Sequence, residues 1–168
     1  MDSLLISLRI IHVIFGIYLA GSYLFIVPIL EPRLKRLGPA IEGPVMRAIV
    51  PIMAPINGIS FIIVILTGVA MTLILRWGSL GTLLVSGWGW AIIIGSVATL
   101  VVVVVGFGFL TPTGMRLDKL GRSIEGRAPT PSESQELQRL SARVDFLSRL
   151  NLAFVLIALA TMLIARYL

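Results

Sequence analysis

The chain has 168 residues, 57% of them hydrophobic, with a mean hydropathy of +1.01, a formal charge of +6 and no cysteine. An apolar share so far above that of a soluble domain marks an integral membrane protein. The absence of thiols excludes disulfide frameworks and cysteine-based zinc, iron–sulfur or redox centres. The positive charge does not point to nucleic acid, because the basic residues crowd into two stretches between apolar runs, as membrane topology demands.

The first apolar run covers about residues 4–30 and follows Met1-Asp2-Ser3 directly. It lacks a basic leader region and exceeds a signal peptide's apolar core, so it reads as a retained first span. Within it lies Arg9-Ile10-Ile11-His12-Val13-Ile14-Phe15-Gly16, which holds the chain's one histidine. Positions 9, 12 and 16 share a helix face. A basic exit follows, Glu31-Pro32-Arg33-Leu34-Lys35-Arg36-Leu37, and Gly38-Pro39 stops the helix a turn or two beyond the membrane. Pro51 and Pro55 precede the second span, about 55–75, as a kinked entrance or a short interfacial segment. Asn57, Ser60 and Thr67 within that span are candidates for hydrogen bonds between helices.

Trp77, Trp88 and Trp90 bracket the short connection to the third span and place it at a membrane–water boundary. The third span, about 88–110, carries Ala91, Gly95 and Thr99 at a spacing that lets helices approach closely, within the bundle or in a homodimer. Residues 111–146 form a basic hairpin with helical arms. Thr130-Pro131-Ser132-Glu133 is a capping-box sequence. Beyond it Leu137, Leu140, Val144, Leu147, Asn151 and Phe154 form one seam at three–four spacing. The fourth helix is therefore expected from about 131 to 167, roughly 55 Å at ~1.5 Å per residue, with its span at 147–167. Its seam is expected to pack on Met115, Leu117, Leu120 and Ile124. No internal repeat is evident in the sequence.

The expected fold is a single all-α domain over 1–168, an antiparallel four-transmembrane-helix bundle with a cytoplasmic helical extension of helices 3 and 4. Both basic stretches must face one side, which the positive-inside rule makes cytoplasmic. Both termini then face outward from the cell membrane.

Ionisable residues inside a span are costly and so are functional candidates. With Arg9, Arg76 and Arg166 as markers of the outer boundary, His12, Met71 and Met162 fall in one layer of the outer leaflet. Imidazole and thioether are haem ligands, and thioether also suits Cu(I). His12 is the candidate metal ligand, Met71 and Met162 candidate second ligands. Gly16 leaves room for a flat ring, and Arg9 can pair with a propionate. Against this stand plain packing roles: a helix–helix hydrogen bond for His12, core filling for the methionines, snorkelling for Arg9. Asp145 and Arg149 read as an i, i+4 surface pair. Asp2, Glu31, Asp118 and Asp145 all lie at or beyond the span edges, which excludes a carboxylate proton path through the membrane core.

His12 in the first span, Tyr18 and Gly21 after it, and the exit Pro32-Arg33-Leu34-Lys35-Arg36 resemble the opening of the copper-resistance D (CopD) family. They similarly resemble the HemJ-type protoporphyrinogen oxidases and related small four-span families of unknown function. The resemblance covers the first forty residues and the four-span layout. It implies, for the HemJ type, a haem b ligated by the first-span histidine and porphyrinogen oxidation. The chain departs from that pattern in having Tyr18 where those families usually have Trp, and no second histidine. Only His12 carries over. The functional expectation is a membrane protein binding haem b or a related cofactor in electron transfer or tetrapyrrole handling. The alternative is a non-catalytic accessory or scaffold subunit, with the lipid bilayer and a homo-oligomer or membrane-complex partner around it. A copper or small-solute carrier is disfavoured by the scarcity of polar lining.

Overall fold

Long runs of Ile, Leu, Val, Ala and Gly, punctuated by Pro and Gly at a few defined points, give a chain that is almost wholly helical. The computed structural model describes residues 3–167, apart from the side chains at 80, 82 and 166. It is 92% helix, and no strand occurs among the described residues. Four long helices carry the fold: α1 Ser3–Leu37, α2 Pro39–Arg76, α3 Gly87–Ser123 and α4 Pro131–Ile164. Each is long and apolar enough to cross a membrane. Asp2 lies outside the described residues, as does the side chain of Arg166 that served as a depth marker.

The joint between α1 and α2 is one residue. Gly38 adopts φ +88°, which a side chain would strain, and Pro39 opens α2 with its φ already suited to a helix. The segment 31–54 is therefore helical on both sides of Gly38, and the apolar run from 55 is the inner part of a longer helix. Pro44, Pro51 and Pro55 lie inside α2 without ending it. Each removes one ladder bond, but the residues around them remain helix-forming.

Two turns depart from the α period. Ile26–Leu30 in α1 and Gly106–Leu110 in α3 are π-helical, and each is followed by an X-Pro pair, Glu31-Pro32 and Thr111-Pro112. Proline cannot donate to the carbonyl four residues back and its ring crowds that group. The ladder widens just before it: the Glu31 N–H reaches Ile26 O and the Thr111 N–H reaches Gly106 O. A feature absent from the residue pattern thus recurs in the backbone of both odd-numbered helices.

The α3–α4 turn follows the capping signal. Thr130 Oγ1 accepts from the Glu133 N–H at 3.3 Å, and the Glu133 carboxylate accepts from the Thr130 N–H at 2.8 Å. Gly126 takes φ +85° in the turn, and Arg127 donates to both Glu133 oxygens at 2.8 and 2.6 Å. From Pro131 α4 runs unbroken for 34 residues before a 3-10 turn at Ala165–Tyr167. Its lower half packs on the end of α3. Leu117, Leu120 and Ile124 are partly buried, whereas Met115 is 68% exposed and points away from the seam.

Packing is heaviest between α1 and α2 and between α3 and α4, with lighter α1–α4 and α2–α3 contacts. The core cluster draws on all four helices: Leu19 and Ala20, Phe61, Val102, and Val155. A methyl built at Gly95 would lie 2.7 Å from Thr161 Oγ1 and 3.0 Å from the Met162 methyl carbon. Gly95 of the small-residue spacing thus seats α4 inside the bundle, and Ala91 is also buried.

Candidate functional site

His12 lies on the face of α1 that meets α2. Its Nδ1 is 3.0 Å from Thr67 Oγ1, and a methyl built at Gly68 would be 3.2 Å from its Cε1. Thr67 has one hydroxyl proton, which lies toward its own helix, 2.6 Å from Ile63 O and 3.2 Å from Val64 O. The threonine oxygen can then only accept from the imidazole. The Val64 carbonyl is a second acceptor beside the ring, and a proton on Nδ1 is the tautomer that suits the Thr67 contact. That is the tautomer of a histidine that ligates through Nε2 while a second group orients it through Nδ1.

The other predicted residues divide. Gly16 is one turn below His12, and a methyl there would meet no heavy atom within 4 Å, so space is open beside it. Arg9 is exposed at the same end of α1. Met71 stands one turn beyond Thr67 and Gly68 on the α2 face that meets α1, partly buried. Met162 is committed elsewhere, its methyl lodged against Gly95 between α3 and α4. The structure thus brings His12, Thr67, Gly68 and Gly16 together and sets Met162 in a different seam. Among the described residues no group of three His, Cys, Asp or Glu side chains could hold a metal ion. One imidazole with open space beside Gly16 is a donor set compatible with a planar metal chelate. It does not fit a caged ion.

A second polar region, between α1 and α4, was not anticipated from the sequence. Lys35 pairs with Asp145, so Asp145 bonds across helices and not along α4 to Arg149. Glu31, one turn before Lys35, faces Asp145, and the Ser148 hydroxyl lies within its hydrogen-bonding reach. Burial and the neighbouring Asp145 push the Glu31 carboxyl up to about 7. Ser148 is 3% exposed. Deeper in the same seam Asn151, fully buried, points its Nδ2 at the Tyr23 hydroxyl at 3.4 Å. A methyl at Gly106 would lie 3.3 Å from that Nδ2, so the glycine admits the carboxamide. The Oδ1 atoms of Asn57 and Asn151 are buried without a hydrogen-bond partner. The signal for this seam was present: Tyr23, Val27, Glu31 and Lys35 recur every fourth residue on α1. Asp145, Ser148 and Asn151 recur every third on α4.

No family model, curated protein or solved structure matches this chain.

Proposed function

We propose that the chain is a multi-pass protein of the cell membrane, an antiparallel four-helix bundle that binds haem b or a related flat apolar cofactor through His12. Its role on this reading is electron transfer or tetrapyrrole handling. The basic exits of α1 and α3 lie in the cytoplasm, and both termini are outside. The observation that carries the cofactor reading is the His12–Thr67 bond, which orients the ring through Nδ1 and is the arrangement expected of a histidine that ligates through Nε2.

The residues divide the work. Thr67 fixes the tautomer and ring orientation, Gly16 leaves room for the macrocycle edge, and Arg9 stands at the outer boundary where a propionate would emerge. Met71 is the thioether placed on the adjoining α2 face. The bound group itself would supply one-electron chemistry at its iron. The test is haemin titration of the purified protein in detergent. The reading expects one equivalent taken up with a Soret shift that His12→Ala abolishes, and weaker retention in Arg9→Gln. Protein that stays colourless and metal-free after expression with ample haem and copper overturns it.

A second reading is an accessory subunit of a membrane complex. The contacts of the His12 ring with Gly68 and of Met162 with Gly95 favour it, because they give both side chains packing roles that need no ligand. Arg116, Lys119 and Arg143 are exposed on the hairpin arms and would form its docking face.

A further inference from the structure

The α1–α4 seam opens at the hairpin end into a cavity of about 240 Å³, lined by Val27, Glu31, Pro32, Lys35, Asp145 and Arg149. Nothing in the cofactor reading uses it. Four features converge there. The carboxyl of Glu31 is half-buried and has Asp145, Ser148, Lys35 and Glu42 as its neighbours. Lys35 is the ammonium shared among the carboxylates of Glu31, Glu42 and Asp145, and it is the one bonded to Asp145. Arg149 also lines the cavity and is exposed. The segment Glu31–Leu37 is bounded by the π turn Ile26–Leu30 at one end and by Gly38 at the other.

We propose that Glu31 and the Lys35–Asp145 pair form a proton-binding clasp between α1 and α4, closed when Glu31 holds a proton and slackened when that proton leaves to water. With Glu31 neutral, Lys35 serves Asp145 undivided. With Glu31 ionised, it gains the Ser148 hydroxyl and a share of Lys35, but a second carboxylate then faces Asp145 and a third stands at Glu42, with Arg149 the other cation lining the cavity. The displacement falls on Glu31–Leu37 because a widened π turn borders it on one side and Gly38 on the other. Such widened turns and glycine joints are where helices yield. The position of the Glu31 carboxyl, raised to about 7 by burial first and by Asp145 second, puts the change near neutral pH. The ligand of the site is a proton, exchanged with bulk water through the cavity that Arg149 lines.

The native chain has no cysteine, so Leu37→Cys and Ala142→Cys, both at exposed positions, allow clean spin labelling of the full-length protein in lipid nanodiscs. The clasp predicts that the interlabel distance lengthens between about pH 5 and pH 9, with a midpoint within about one unit of 7. Adding Glu31→Gln should hold the short distance throughout. Asp145→Asn should lower the midpoint, because the repelling carboxylate is gone and Lys35 is free to pair with Glu31. Infrared difference spectra supply an independent reading, a protonated carboxyl band lost over the same range and missing in Glu31→Gln. A band that titrates while the distance stays fixed would eliminate the clasp. Absence of any Glu31-dependent band near neutral pH would eliminate the proton site.

Discussion

At the residue scale, the threonine that faces His12 decides what the histidine can do. Removing the hydroxyl by Thr67→Val should cost about 0.6 kcal/mol of bundle stability, the average for hydrogen bonds between membrane helices, and at most about 1.7 kcal/mol. It should also release the ring and shift the spectrum of any bound haem. Unfolding in mixed detergent micelles reads the first effect, and absorption after haemin titration reads the second; a stability loss with an unchanged spectrum would make Thr67 a packing residue only. The buried Asn151 and Tyr23 offer a cleaner energetic test. Asn151→Leu strands the Tyr23 hydroxyl and should cost about 1–3 kcal/mol, while the double variant with Tyr23→Phe should recover much of it. Strictly additive losses would show that the 3.4 Å contact contributes nothing. Thr67 was legible beforehand as a residue that bonds between helices, and His12 as a polar group needing company. That the two face one another was not, because residue spacing gives a helix's faces but not the rotation that pairs them. The Asp145 partner was misread for the same reason: an i, i+4 spacing shows Arg149, and only the packed bundle shows Lys35.

At the element scale, the α3–α4 hairpin was legible nearly residue by residue, because its determinants are local. Thr130, Pro131 and Glu133 signal the start of α4 whatever surrounds them, and Gly126 marks the turn. The π turns were not foreseen, although Pro32 and Pro112 caused them. A proline inside an apolar run announces a disturbed ladder without saying whether the helix bends, stops or widens. The hairpin also carries a pH signature. Hydrogen bonds from Arg127, then from the Thr130 backbone, hold the Glu133 carboxyl down to about 2, below its ordinary value. A carboxyl lowered on folding stabilises above its unfolded pKa and loses that contribution as pH falls through the folded one. Pepsin cleavage around residues 124–134 should therefore accelerate as pH drops from about 4.5 to about 2. In Glu133→Gln the rate should be high and flat over that window. Equal slopes in the two proteins would remove Glu133 from the account. Leu140→Asp, which places a charge in the α4 seam, should expose the same segment at neutral pH.

At the scale of the whole molecule, the proposed orientation puts His12 toward the outer side and Glu31 toward the cytoplasmic side of a bundle whose surface is largely apolar. The orientation is testable by labelling Ser79→Cys and Ser123→Cys in intact cells. Ser79→Cys should react from outside and Ser123→Cys only after the membrane is opened; the reverse pattern would invert both sites. The four-helix layout was legible because apolar length is a direct property of the sequence. The polar seam between α1 and α4 was missed because its residues are separated by more than a hundred positions and acquire meaning only as neighbours. The most direct measurement uses the fact that His12 is the sole histidine. Selective nitrogen-15 labelling of histidine therefore reports a single imidazole. With the cofactor-free protein in micelles, the Nδ1 resonance should be that of a protonated nitrogen and Nε2 that of a bare one, and stoichiometric haemin should perturb Nε2 first. A ring protonated at Nε2, or resonances indifferent to haemin, would contradict the assignment of His12 as the ligand.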